Sequence, residues 1–384
     1  MTELDERLSA LRGAAADTAA ELRDHAMALD AAPHEVKPHQ GVAAFDLIRR
    51  CTTPRRFGEP LRVGRFAYSA GSCLDTLVWM LELAHGDAGM VLAAPGPTLA
   101  GLLVDQLGDE RQQDHFYRAV AGEDAYAFFA VTEPDRGSDA GGLECALRRA
   151  TPTGPYRLHG TKKYVGNGAR GGVGVVFART GDGPVSIRAA LVEAGAPGLW
   201  RRELDMVGLR GAALGEIRLD GVAVPDELLL GRHLKPTRRG LWGAMRVFSA
   251  VRPQVAALAV GTGLACVDLV RAERPHAPGL EAVAARLEGC RRLVYRAGAA
   301  LDHDRDDAVL SSVAKIAAVS AAREAGRWAV RSLGPAALVE HPLLEKWNRD
   351  VCAFEFMEGT SDIQRLHVSR ARARKPMPAG GGPS

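Results

Sequence analysis

The stretch YAFFAVTEPDRGSD, Tyr126 to Asp139, is where the chain changes period. Residues 126–131 form a compact apolar run of strand length. Glu133-Pro134 closes it, because proline has no N–H to offer a ladder. Gly137-Ser138, taken alone, reads as a turn. Upstream, Leu4, Leu8 and Leu11 keep a 3-to-4 spacing, and the helical pattern continues to about Gly122. Residues 74–83 and 90–107 are apolar enough for buried helices. Pro95-Gly96-Pro97 punctuates the second and sets where its helix begins. Residues 110–120 predict a short amphipathic helix.

Downstream, turn residues separate short strands. Residues 156–159 and 163–165 flank Gly160-Thr161 as the arms of a hairpin-like turn. Residues 173–178, 189–192 and 216–222 predict further strands, together a small barrel or sandwich. Helices return from Thr237. Residues 241–272 predict one long helix, kinked or opened at Pro253. Residues 279–302 and 308–332 predict two more, and a loop at 334–341 leads to a last helix at 346–356. The expected fold class is α+β multidomain: an N-terminal helical domain (1–123), a central β-barrel-like domain (124–235) and a C-terminal helical bundle (236–375). The tail PMPAGGGPS, 376–384, is expected to be disordered.

The 384 residues, 47% of them hydrophobic, suffice for a large core. A net charge of +3 is mild, and no Lys/Arg block marks a nucleic-acid footprint. Six scattered cysteines without CxxC or Cys/His pairing argue against a metal site and for a reduced, cytoplasmic setting. The N-terminus MTELDERLSALRG has no apolar signal core, and no run approaches about 18 apolar residues. Neither secretion nor a membrane span is expected.

The densest chemistry lies in EFMEGTSDIQRLHVSRAR, Glu355 to Arg372. Glu358 follows Phe354, Phe356 and Met357, and a carboxylate in apolar company is harder to ionise and a stronger base. Gly359 lets backbone approach a ligand closely. Thr360, Ser361 and Asp362 offer polar groups to a cofactor. The same letters also read as a helix start, with Thr360 or Ser361 as cap and Gln364 downstream.

Together with FFAVTEPDRGSD (128–139) and YRLHGTKKYVGNG (156–168), EGTSDIQR resembles the acyl-CoA dehydrogenase family, the motifs standing in the family's order from about Gly108 to Arg372. The resemblance implies FAD between the β domain and the C-terminal helices. It implies a glutamate that removes the α-proton of an acyl thioester while flavin N5 takes the β-hydride. Glu358 matches that base, and its N–H and a flavin ribose hydroxyl would be the oxyanion donors. Some relatives keep the base on the long helix, but here that region reads SAVRP, without an acid. Arg252 within it matches an arginine beside base and substrate, its alternative being a surface or intersubunit salt bridge. Ser249 stands where many relatives have an acid that touches the pantetheine. Phe129, Val131 and Thr132 match the strand along the flavin. Gly137 and Ser138 match the loop that meets the FAD phosphates, the serine also meeting the pantetheine.

Several positions depart from the family. Tyr164 replaces the tryptophan that packs on the flavin, and Gly166 replaces the threonine whose hydroxyl bonds N5, while Asn167 and Gly168 are retained. The segment RAERPHAPGLEAVAARLEGC is shorter than the relatives' Arg-x-x-Phe-Gly region, which binds a neighbouring subunit's FAD; Arg274 and His276 are candidate substitutes. RSLGPAAL offers Arg331 and Gly334 where relatives carry Gln-x-x-Gly-Gly for the adenosine half. Gly243, Ala244 and Met245 are candidates for the acyl pocket wall, or simply core.

The leading expectation is an FAD-dependent dehydrogenase of an acyl-CoA or acyl-carrier-protein substrate, in a specialised pathway such as secondary metabolism. It would be a homodimer or homotetramer and pass electrons to electron-transferring flavoprotein or a similar acceptor. A flavin oxidase or monooxygenase on the same fold is the second class. A non-catalytic, FAD-poor scaffold is the third.

Overall fold

In the computed structural model, which describes residues 4–151, 153–305 and 308–374, Asp5 opens the first helix by accepting from the Leu8 N–H at 2.7 Å. The expected tail at 376–384 lies outside the described residues. Helix α1 (Glu6–Ala31) buries Leu8, Leu11, Ala15, Ala19, Leu22, Ala26 and Leu29, a stripe at helical spacing that lies on α3 (Cys73–Ala93). Between them come α2 (Ala43–Thr52) and a hairpin of β1 (Leu61–Val63) and β2 (Phe66–Tyr68), too short to show a period in the sequence. Helix α3 breaks at Asp87, whose backbone is extended. The Asp87 carboxylate accepts from the Met90 N–H at 2.8 Å, so it caps the resumed helix. Helix α4 (Thr98–Leu107) starts directly after Pro95-Gly96-Pro97 as expected, and α5 (Glu110–Ala119) opens on an Asp109–Gln112 capping box.

The central part is one curled sheet of seven strands: β3 (Ala127–Ala130), β4 (Ala146–Arg149), β5 (Tyr156–Val165), β6 (Val173–Arg179), β7 (Ile187–Glu193), β8 (Leu199–Glu203) and β9 (Gly215–Val224). Their order is β3-β6-β4-β5-β9-β8, with β7 paired to β6. The hairpin expected at Gly160-Thr161 is absent: β5 runs straight through it. Gly160 adopts φ +133°, and a Cβ there would strike the Cys145 sulfur, so this glycine serves a close crossing of strands rather than a turn. Two short strands, β4 and β8, were not legible in the sequence. One sheet face packs with α4, α5 and the start of the next helix, and the other closes on Phe128, Leu147, Leu158 and Val176.

The rest is a bundle of α6 (Leu241–Glu273), α7 (Leu280–His303), α8 (Val309–Leu333), α9 (Ala337–Glu340), α10 (Pro342–Ala353) and α11 (Ser361–Arg374). Helix α6 runs unbroken through Pro253, where a kink or opening was expected. By length and composition the segment 236–273 would cross a bilayer, contrary to the expectation that no run approached that length. Its most apolar window is 72% buried, packed against α3, α7 and α8, so this apolarity builds the core. The last helix expected, 346–356, is divided: α10 ends at Ala353, and the turn that follows carries Glu358 into α11.

Lys346, 2% exposed, reaches from α10 to the α3 break. Its ammonium donates to Asp87 and to Asp350, each at 2.7 Å, and Asp350 accepts from the Leu209 N–H at 2.6 Å. Three distant segments thus converge on one buried charge cluster.

Candidate active site

Glu358 sits between α10 and α11 with φ +53°, a left-handed backbone that costs a non-glycine residue on the order of 1 kcal/mol or more. The next residue, Gly359, has φ +92°. Three side chains hold this turn by its carbonyls. Gln364, fully buried, donates its amide to the Glu358 and Gly359 oxygens, both at 3.1 Å, and accepts from the Ser312 hydroxyl at 2.9 Å. Lys315, 1% exposed, donates to the Gly359 oxygen and to the Glu355 oxygen at 3.3 Å. Arg252 on α6, 4% exposed, donates Nε to the Glu358 oxygen at 3.4 Å.

The Glu358 residue as a whole keeps partial solvent contact, while protein crowds round its carboxyl. Burial pushes this carboxyl up to about 7, against the opposing pull of Lys315 and Arg252. The Arg252 guanidinium is lowered to about 10 by burial, with Glu358 opposing, and remains a cation at neutral pH. The main-chain N–H of Glu358 has no acceptor within the protein among the described residues. The helix-start expectation also holds, in altered form: the Glu355 carboxylate accepts from Ser361 N at 2.8 Å and its Oγ at 2.7 Å. Thr360 caps weakly, Oγ1 lying 3.5 Å from the Ile363 N–H. Asp362 is exposed and pairs with Arg365 at 2.6 Å. Ser249, buried on α6, turns its hydroxyl to the Met245 carbonyl at 2.9 Å.

The second half of the site is the end of β3 and β5. The Phe129 ring meets Phe248 of α6 edge-on at 6.0 Å, and Val131 shares an apolar cluster with Val251, so this strand faces the α6 segment that carries Arg252. The Thr132 carbonyl accepts from Lys163 N at 2.9 Å. Lys162, fully buried, donates to the Val131 carbonyl and to Glu133, both at 2.8 Å. Glu133 also accepts from the N–H groups of Glu144 and Cys145, and so anchors the loop that bears exposed Gly137 and Ser138. Between Lys162 and Val165 the register with β9 slips by one residue. This bulge puts Tyr164 at φ +58° with its ring 51% exposed. Arg170 donates to Asn167 Oδ1 at 2.8 Å and to the Gly211 carbonyl at 2.7 Å, fixing the turn that ends β5.

The sequence reading missed Lys315, Gln364 and the Lys162–Glu133 pair as parts of the site. It placed Arg331 and Gly334 with the cofactor residues, yet both stand at the far end of α8, where Arg274 bonds the Ser332 carbonyl at 2.7 Å. Sixteen residues of helix put Arg331 about 24 Å from Lys315, so one chain does not bring them to the Glu358 turn. His276 is exposed beyond the end of α6.

The profiles of the middle and C-terminal domains of acyl-CoA dehydrogenase match residues 128–222 and 238–372. A probable acyl-CoA dehydrogenase of Bacillus subtilis (strain 168), YngJ, is 31% identical over 324 residues, which cover 78% of this chain and 83% of the relative. The chain belongs to the acyl-CoA dehydrogenase family. This family comprises FAD-using oxidoreductases that act on CH–CH donors. Two solved structures show the same fold. Butyryl-CoA dehydrogenase from Megasphaera elsdenii aligns with TM-score 0.84 at 24% identity, over 97% of this chain and 100% of that one. The prolyl acyl carrier protein oxidase AnaB aligns with TM-score 0.82 at 23% identity, over 96% and 100%.

The residues present in this family member fit FAD. Tyr164 offers an exposed aromatic ring for a planar partner, with the Lys163 ammonium over it at 5.2 Å from the centroid. A Cβ built on Gly137 or Gly166 would meet nothing within 4 Å, which leaves room for close backbone approach. The open space at Gly166 also means that no side chain there bonds the ring.

Proposed function

We propose that this protein catalyses the FAD-dependent α,β-dehydrogenation of an acyl thioester carried on CoA or on an acyl carrier protein. The observation that carries this reading is Glu358: a carboxyl raised to about 7, in a braced turn whose own N–H is left free. In this reading that N–H binds the thioester oxygen, which acidifies the α-carbon. The Glu358 carboxylate then takes the α-proton. FAD, when bound, would supply the acceptor for the β-hydride, and loss of that hydride and the α-proton would leave the C=C bond. Phe129, Val131, Thr132 and Tyr164 would hold the ring, Gly137 and Ser138 would meet the phosphates and pantetheine, and Thr360 and Asp362 would offer polar groups to the cofactor. Arg252 and Ser249 border the substrate, and Gly359 lets it approach.

Arg331 and Gly334, remote from Glu358 within one chain, serve the cofactor of a neighbouring subunit in a homodimer or homotetramer. Electrons pass on to electron-transferring flavoprotein or a similar acceptor. The six free cysteines accord with a reduced cytoplasmic setting. The altered contact residues accord with a specialised pathway.

Anaerobic mixing with a panel of acyl-CoA and acyl-carrier-protein thioesters tests this. Bleaching of the flavin by one class of thioester is the expected result, and no bleaching with any would overturn it. The open Gly166 position favours one second reading, reoxidation by dioxygen. That reading predicts rapid return of the yellow colour in air without an added acceptor. A colourless protein that cannot be loaded with FAD would instead support the scaffold reading.

A further inference from the structure

The family resemblance pointed to Glu358 and Arg252, but the deepest charged group at this turn is Lys315. A lysine that is 1% exposed is rare, because its ammonium loses the hydration of three N–H groups. Among the described residues no carboxylate pairs with it directly. Its recorded acceptors are two carbonyls, those of Glu355 and Gly359, which lie on either side of Glu358. Burial lowers the lysine to about 8, with Glu355 and Glu358 opposing and Arg252 adding to the depression. An ammonium retained at such a cost, spanning the base rather than pairing with it, needs a reason. The turn supplies one: Glu358 is in the left-handed region, and its neighbours must over-determine that backbone.

We infer that Lys315 is a positioning residue for the base, its ammonium clamping the carbonyls on both sides of Glu358 and keeping a fixed positive charge within reach of the carboxylate. This rests on the proposed role of Glu358. Beside Arg252 on the Glu358 carbonyl, the clamp has two parts that differ in charge. Gln364, braced by Ser312, holds the Glu358 and Gly359 carbonyls as a neutral donor. Lys315 holds the Glu355 and Gly359 carbonyls as a cation. Both fix the geometry, but only Lys315 also favours the ionised form of the acid.

The charged groups around the pair are few. Arg252 from α6 faces both Glu358 and Lys315, and Glu355 of the turn faces Lys315. From α11, His367 faces Arg252, with Arg370 beyond; burial, and after it these two cations, lower its imidazole. Arg252 likewise joins a charge to a carbonyl of the turn, that of Glu358, while among the described residues Lys315 is the cation that bonds the Gly359 carbonyl.

The test compares Lys315→Met, Lys315→Gln and Gln364→Leu in the FAD-loaded protein. Loss of the charge should move the acidic limb of the pH–rate profile up by about one pH unit, the scale of an opposite charge at close range. Lys315→Met should show that shift with at least a ~10-fold loss of kcat on the plateau. Lys315→Gln, which loses the charge and keeps a donor, should show the shift with a smaller loss. Gln364→Leu should lower kcat and leave the limb in place.

An infrared titration of the carboxyl band, referenced to Glu358→Gln, reads the same midpoint without turnover. If Lys315→Met does not fold, Lys315→Gln decides, since it keeps a polar head in a smaller side chain. A limb and a carboxyl midpoint that stay where they are in a folded, flavin-bearing Lys315 variant would overturn the inference. Turnover retained in Glu358→Gln would instead bring down the proposed function itself, so the two failures are distinct.

Discussion

Arg252 bonds the main-chain oxygen of Glu358, at 3.4 Å, and not its carboxylate, although the two residues lie 106 positions apart in the chain. Among the described residues the Glu358 carboxylate has no direct ion pair. A carboxylate locked to an arginine would be a poor base, since the pair must break before a proton is accepted. Here the cations hold the backbone, and the acid is left free to accept one.

Turnover should therefore follow the ionisation of Glu358. With its carboxyl raised to about 7, activity is expected to rise with pH through that value and to fall about tenfold per unit below it. The pH profile of kcat/KM, which reports the free enzyme, measures this. A profile flat from about pH 5.5 to 8 would place the base elsewhere.

Glu358→Gln should keep FAD and lower turnover by ~10³-fold or more. It should also change stability with a defined sign. A carboxyl raised on folding stabilises the native state relative to its ionised form at low pH, and that advantage is lost as pH rises through about 7. The neutral glutamine escapes this loss. Its Tm relative to the parent should therefore be higher at pH 8.5 than at pH 5.5, and the opposite order would contradict the burial of the acid.

Gly166→Thr should restore a hydroxyl where a Cβ finds open space. One added hydrogen bond is worth on the order of 1 kcal/mol, enough to shift a flavin equilibrium several-fold. The reduction potential or the rate of reoxidation in air should change more than the KM for substrate. Unchanged values of both would mean that a water or backbone amide already fills that place.

The protein should be a dimer or tetramer. Arg331 and Gly334 are separated from the Glu358 turn by most of the length of α8, so the cofactor role proposed for them requires a second chain. Light scattering at micromolar concentration reads the mass directly. A stable, FAD-saturated monomer would end this idea.

Lys346→Met should destabilise the fold by about 3–5 kcal/mol, because it leaves the carboxylates of Asp87 and Asp350 buried without their cation. The loss should shrink as pH falls and Asp350, raised by burial, takes up a proton. Urea unfolding at two pH values measures both effects. A change under about 1 kcal/mol at neutral pH would show that water reaches the cluster.

The alternation of helices and strands was legible because burial on one face imposes a period on the letters. The three-residue strands β1 and β2 had no length in which to show one. Gly160 misled because a glycine required by a neighbouring strand has the same letter as one required by a turn. Glu358 and Arg252 were legible through motif. Lys315 and Gln364 were not, since a lone lysine or glutamine on a long helix ordinarily faces water. Only the turn folded back from α10 makes their positions interior.

The bulge before Val165 has a consequence for the length of its segment. Side chains along a strand alternate between faces, so residues three apart should point opposite ways. Lys162 and Val165 are three apart and both buried, because one extra residue lies between them. Removing or adding a single residue at 163–164 would reverse that parity, turning either the lysine out of its pair with Glu133 or the valine out of the core. At this point the chain tolerates a change of letter far better than a change of count.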